Sequence, residues 1–163
     1  MNKALLLLTL TLPAFAEGFD LPDANGVTYA PSNTTYEVLV FGKSKHYTER
    51  ENGEPFNEVN PGIGFTRLNQ KWADDHFATS QTAVIYKNSY FMWTGIVGYG
   101  INAKFGDDNG FHTIMGLTGG LMMNSEYVVP TAVPNIGVGY KNVSAYVAIM
   151  GWGAFGAFIG YRF

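Results

Sequence analysis

The chain has 163 residues, 47% of them hydrophobic, with 20 glycines, no cysteine and a formal net charge of −3. That length suits one domain, and the missing cysteine excludes disulfides, zinc–thiolate centres, a cysteine nucleophile and a lipoprotein anchor. The absence of any basic run excludes nucleic acid as a partner, and the absence, beyond the extreme N-terminus, of an apolar run of about 18 residues excludes a helical membrane protein.

Residues 1–16 read as a signal peptide: Lys3 is the positive start, residues 4–12 the apolar core, and Ala14-Phe15-Ala16 the small-x-small cleavage site. Residues 17–35, with Pro22, Gly26 and Pro31, read as an irregular N-terminal segment on the periplasmic side. From Tyr36 the pattern turns to period two, and eight strands are expected at 36–46, 60–69, 76–87, 91–104, 111–122, 133–140, 143–150 and 154–163. An even count with long odd connections closes an all-β, eight-stranded antiparallel up-and-down transmembrane barrel over 36–163. A soluble lipocalin-like barrel is the alternative; its apolar residues would point inward.

External loops are expected at 46–59, 87–91, 123–131 and 150–153, and periplasmic turns at 70–75, 105–110 and 140–143. In the last strand Phe155, Ala157, Ile159, Tyr161 and Phe163 share one apolar face. An aromatic final residue after such a strand looks like the assembly signal of outer-membrane β-barrels.

In the fourth strand Trp93, Val97, Tyr99, Ile101 and Phe105 are expected on the lipid, leaving Thr94, Ile96, Gly98, Gly100, Asn102 and Lys104 inside. The fifth likewise turns His112, Ile114, Gly116, Thr118, Gly120 and Met122 inward. Small inner residues facing one another leave an apolar slot that suits a hydrocarbon chain. Pro61 opens the second strand and Pro130 and Pro134 flank the start of the sixth. Lacking an N–H, each interrupts strand pairing and offers a sideways passage for a lipid tail.

The stretch Tyr86-Lys87-Asn88-Ser89, followed by Trp93 and by Gly98-Tyr99-Gly100, resembles the PagP family of outer-membrane phospholipid:lipid A palmitoyltransferases. Further matches are Phe111-His112, Gly116, Thr118, Gly120, Pro130, Pro134, Val138-Gly139-Tyr140, Phe56-Asn57-Glu58 and Tyr29-Ala30-Pro31. The resemblance implies a monomer acting on outer-leaflet phospholipid and lipid A without metal or cofactor. It places Ser89 at the family's functional serine and Gly100 at the glycine flooring the acyl pocket, with Ile96, Gly98 and Gly116 along it. Asn88 stands where the family has aspartate, and alignment from Tyr29 drops the family's histidine on Tyr36.

Strand length offers another histidine. Ten residues beyond Tyr36, roughly 33 Å up a flat strand, His46 reaches the rim where Ser89 lies. An imidazole with a pKa near ~6.5 serves there as general base, assisted by Ser89 or by Glu58 or Glu49, with Asn88 donating to the oxyanion. His112 is expected to be structural and His76 a turn residue. A non-enzymatic barrel resembling the OmpX, Ail and Lom group, whose loops bind or mask a surface, and a lipid A deacylase are the competing functions.

Overall fold

The computed structural model describes residues 34–48, 50, 53–72, 77–107, 109–150 and 153–163. Residues 1–33, Glu49 and His76 lie outside them, and with them the signal-peptide reading. Eight strands, β1 (Thr34–His46), β2 (Val59–Trp72), β3 (Phe77–Lys87), β4 (Trp93–Gly106), β5 (Phe111–Met123), β6 (Val128–Tyr140), β7 (Val143–Ile149) and β8 (Ala154–Arg162), pair with their sequence neighbours. β8 pairs back onto β1 and closes the barrel, every pairing being antiparallel. Closure leaves no edge, as a sheet in hydrocarbon requires, because an unpaired N–H there has no water to bond. At the seam Tyr36 and Phe163 exchange backbone bonds of 3.2 and 2.9 Å.

Period two decides the faces. In β7, Val143, Ala145, Val147 and Ile149 are exposed while Ser144, Tyr146 and Ala148 are buried. Outward apolar residues such as Val40, Ile63, Ile101, Leu117 and Ile159 form a continuous band. Below it stand exposed Phe105, Phe111, Tyr140, Tyr161 and Phe163, and above it Tyr47, Tyr90, Phe91 and Trp93. An apolar band between two aromatic girdles is the surface of a transmembrane barrel, and a lipocalin-like barrel would reverse it. We call the end carrying the β1–β2, β3–β4, β5–β6 and β7–β8 connections the loop end and the other the turn end.

Several expected strand bounds shift, that of β6 the furthest. β6 begins at Val128, so Pro130 and Pro134 lie within the strand, paired through Leu121 and Leu117 to β5. The other flank explains why proline is tolerated: β7 pairs only with Asn135–Tyr140, so residues 128–134 have no β7 ladder to complete. The same holds at Pro61, since β2 pairs with β3 only from Gly62 onward.

The lumen has two halves. Towards the loop end Leu39, Phe41, Val84, Tyr86 and Ile96 form an apolar cluster with Met122, Val133, Met150 and Phe158 packed against it. Rings stack across it, Phe41 on Tyr86 at 5.7 Å, Phe41 on Phe158 at 4.9 Å and Phe158 on Tyr146 at 4.9 Å. Gly62 lies in register between Phe41 and Tyr86, where a Cβ would collide with the Tyr86 backbone. Towards the turn end the lumen is polar. Tyr146 donates to Glu37 (2.8 Å), Asn102 to Ser80 (2.9 Å), Thr66 bonds Thr82 (3.1 Å), and His112 Nε2 meets Ser144 Oγ at 3.4 Å.

Candidate active site

A cavity of about 290 Å³ opens at the loop end of the apolar half. Its wall includes Phe41, Tyr86, Ile96, Met122, Val133 and Met150, and its mouth His46, Phe56, Asn88, Ser89 and Tyr90. A smaller cavity of about 100 Å³ lies beneath it, with Ile96 and Val133 lining both.

His46 faces the lumen because of one residue. Pairing on both flanks of β1 slips between Phe41 and Lys43, a β-bulge at Gly42. Below it Glu37, Leu39 and Phe41 point inward; above it the parity reverses, so Ser44 and His46 turn in and Lys43 and Lys45 turn out. The His46 ring stacks on Phe56 at 4.1 Å, and its Nδ1 is buried without a hydrogen-bond partner. Tyr36 is at the opposite end, on the outer face between Phe65 (5.5 Å) and Phe163 (6.2 Å). It belongs to the girdle and is remote from Ser89.

The loop holding Ser89 is pinned by its neighbours. Asn88 Oδ1 accepts from the Tyr90 and Met92 amides at 2.8 and 3.0 Å, and its Nδ2 donates to the buried Thr94 hydroxyl at 2.9 Å. An Asx cap of this kind fixes the turn in which Phe91 adopts φ 64°. A carboxylate oxygen would accept the same two amides, so asparagine in place of aspartate preserves the loop. Its oxygen and one of its two side-chain N–H groups are engaged in holding this turn, a positioning contact alongside the oxyanion role expected of it.

The first loop clamps the second. Arg50 Nη2 donates to the Ser89 carbonyl (2.8 Å), which also accepts from the Asn57 amide (3.0 Å). The guanidinium lies over Tyr90 at 4.7 Å and over Phe56 at 5.2 Å, a cation–π contact on both sides. Asn57 Nδ2 and Asn60 Nδ2 reach the Asn88 and Lys87 carbonyls at 3.2 and 3.0 Å. Arg50 is a residue that sequence reasoning missed, since nothing in a polar loop distinguishes one arginine. Glu58 binds Lys45 at 2.9 Å, and this hydrogen bond holds its carboxyl below the usual carboxylate range. Glu58 also shares the wall of a loop-end pocket with His46.

The remaining expected pocket residues order themselves by depth. Ile96 lies between the cavities. Gly98 pairs with Gly120 beneath it, then Gly100 with Thr118, then Gly116 with Asn102. A Cβ at Gly100 would stand 2.5 Å from Ser80 Oγ and 2.9 Å from Thr118 Oγ1, and one at Gly116 would strike Asn102 and Asn135. These glycines admit the polar layer that ends the apolar path. His112, with Nδ1 3.3 Å from the Gly110 carbonyl, stands in that layer, away from the cavity mouth.

A family model described as "Antimicrobial peptide resistance and lipid A acylation protein PagP" matches residues 28–155. A protein of Cronobacter turicensis named lipid A acyltransferase PagP is 31% identical over 119 residues, covering 69% of this chain and 56% of that protein. A Shigella boydii protein of the same name is 29% identical over 121 residues, covering 71% of this chain and 60% of that protein. The chain therefore spans little more than half the length of these curated relatives.

Proposed function

Because this chain belongs to the PagP family, we propose that it is an outer-membrane acyltransferase that moves a palmitoyl-like chain from a phospholipid to lipid A. The observation that carries the reading is a blind apolar cavity whose mouth holds a histidine with an unpartnered ring nitrogen beside a serine on a pinned loop. The acyl chain lies in the apolar half of the lumen and stops at the polar layer below Ile96. It enters sideways where pairing lapses, between β6 and β7 beside Pro130 and Pro134 or between β2 and β3 beside Pro61.

In the reaction the lipid A hydroxyl oxygen attacks the ester carbonyl carbon of the phospholipid while the His46 imidazole takes its proton. The carbonyl oxygen becomes an oxyanion that the Ser89 hydroxyl stabilises. Collapse breaks the ester C–O bond, and the proton on His46 passes to the departing alkoxide. Acylated lipid A and a lysophospholipid result. No step calls for a metal or cofactor. The protein works as an exported monomer, its loops facing outward. A non-enzymatic surface-binding barrel is the competing reading, and it expects polar packing through the whole lumen, which only the turn half provides.

The test is mass spectrometry of lipid A from cells lacking their own palmitoyltransferase and expressing the wild type, His46→Ala or Ser89→Ala. A palmitoyl-sized gain with the wild type and a loss of about 10²- to 10⁴-fold in the His46 variant is expected. Unmodified lipid A in all three, despite heat-modifiable barrel in the outer membrane, would leave the surface-binding reading standing instead.

A further inference from the structure

The bulge at Gly42 has an outer consequence as well as an inner one. By turning Lys43 and Lys45 to the lipid side it sets two cations at the top of β1's outer face. Lys45 is neutralised by Glu58 at 2.9 Å. Lys43 is exposed and, among the described residues, has no ion-pair partner.

Below Lys43 the outer wall is hollowed. Register places Lys43, Ala157, Val147 and Ile136 in one lateral row, and Val40, Ile159, Ala145 and Val138 in the next row towards the turn end. The small residue steps by one strand between the rows, from Ala157 on β8 to Ala145 on β7. The two alanines thus floor a slanting trough between the ridges of Val40 with Ile159 and Val147 with Ile136. This groove measures about 670 Å³, larger than either lumen cavity, and Lys43 is its one charged lining residue.

We propose that this groove docks a phosphate-bearing acyl lipid of the loop-end leaflet, with one acyl chain along Ala157 and Ala145 and a phosphate on Lys43. Resting on the function proposed above, we identify that lipid as the lipid A acceptor. A long apolar trough headed by one uncompensated cation matches an anionic lipid in both shape and charge, because the ammonium reaches the headgroup level while its stem covers apolar surface. His46 follows Lys43 by three residues on the opposite face, roughly 10 Å along the strand. A headgroup held at Lys43 therefore leaves the acceptor's hydroxyacyl chains at the rim where transfer takes place.

Native mass spectrometry of the full barrel in detergent, titrated with bisphosphorylated lipid A and separately with phosphatidylglycerol, tests the site. Lys43→Gln removes the charge and Ala157→Leu fills the trough from the lipid side, with heat-modifiability checking that each barrel has folded. Lipid A retention is expected to fall about tenfold in each variant, the scale of one charge-assisted contact or one blocked apolar slot. Retention equal to wild type in both variants, equal retention of phosphatidylglycerol by the wild type, or a protein dimer formed through this face would overturn the proposal. Retention is read without turnover. A barrel that holds lipid A through Lys43 yet transfers nothing would sink the transferase reading and uphold the groove.

Discussion

The two halves of the lumen share one wall and one alternation, yet they are filled by opposite rules. In the turn half the lumen carries hydrogen-bonded polar pairs, such as Tyr146 with Glu37 at 2.8 Å and Asn102 with Ser80 at 2.9 Å, among a few apolar side chains such as Leu68 and Ile114. The loop half is apolar and incompletely filled, and its cavity of about 290 Å³ opens at a rim tied by Arg50 and Asn57. A buried polar network resists disruption because removing one partner strands the other. An apolar hollow forgoes packing and keeps room for a guest. One half is a plug; the other is a receptacle.

Substitutions in each half should separate these roles. The largest effect is expected from Glu37→Ala, which strands the buried Tyr146 hydroxyl. Leaving a buried hydroxyl without the carboxylate it bonds costs about 3 kcal/mol. Denaturant unfolding of the barrel in bilayers should show that loss, and an unfolding free energy equal to wild type would mean that the plug is not what holds this half together. Next comes Ile96→Ala between the two cavities. Truncation costs about 2 kcal/mol, yet it joins the cavities, so the acyl chain selected should lengthen by two or more methylenes. Unchanged selectivity in a transfer assay with mixed donors would place the chain elsewhere. The smallest effect is local. Asn88→Ala should release the amides of Tyr90 and Met92, worth about 1 kcal/mol each, and raise hydrogen exchange at residues 88–92. Asn88→Asp should leave exchange there as it is, because either oxygen caps the turn.

Much of this barrel could be read from the chain, because the outside of a membrane barrel has only one solvent to satisfy. Residues such as Tyr99, Ile101 and Phe105 announce their face by spacing alone, and the closing strand at 154–163 was legible for the same reason. The start of β6 was not. Proline argues against a strand only when its missing N–H is owed to a partner, and here the β7 partner is absent. At the candidate site, strand length was enough to bring His46 and Ser89 to one end, and it also put Tyr36 at the other. The direction in which His46 faces depends on a slip at Gly42 that alternation cannot foresee. A lone glycine inside an apolar run was the available hint. The role of Asn88 arises from bonds within its own turn and the clamp by Arg50 from a loop-to-loop contact, and a linear pattern carries no signal for either.

Gly42 behaves as a frame shift written in space. The chain above it is read in a second frame, in which the residues that would have met lipid meet the lumen and the reverse. Were Gly42 taken into the ladder as an ordinary strand residue, the strand below would be untouched, His46 would be carried out to the hydrocarbon and Lys43 and Lys45 folded inward. The faces that the rim residues of β1 present thus turn on how one residue is seated, a residue that itself contacts almost nothing, its nearest neighbour being the Ala157 carbonyl 3.9 Å from where a Cβ would stand.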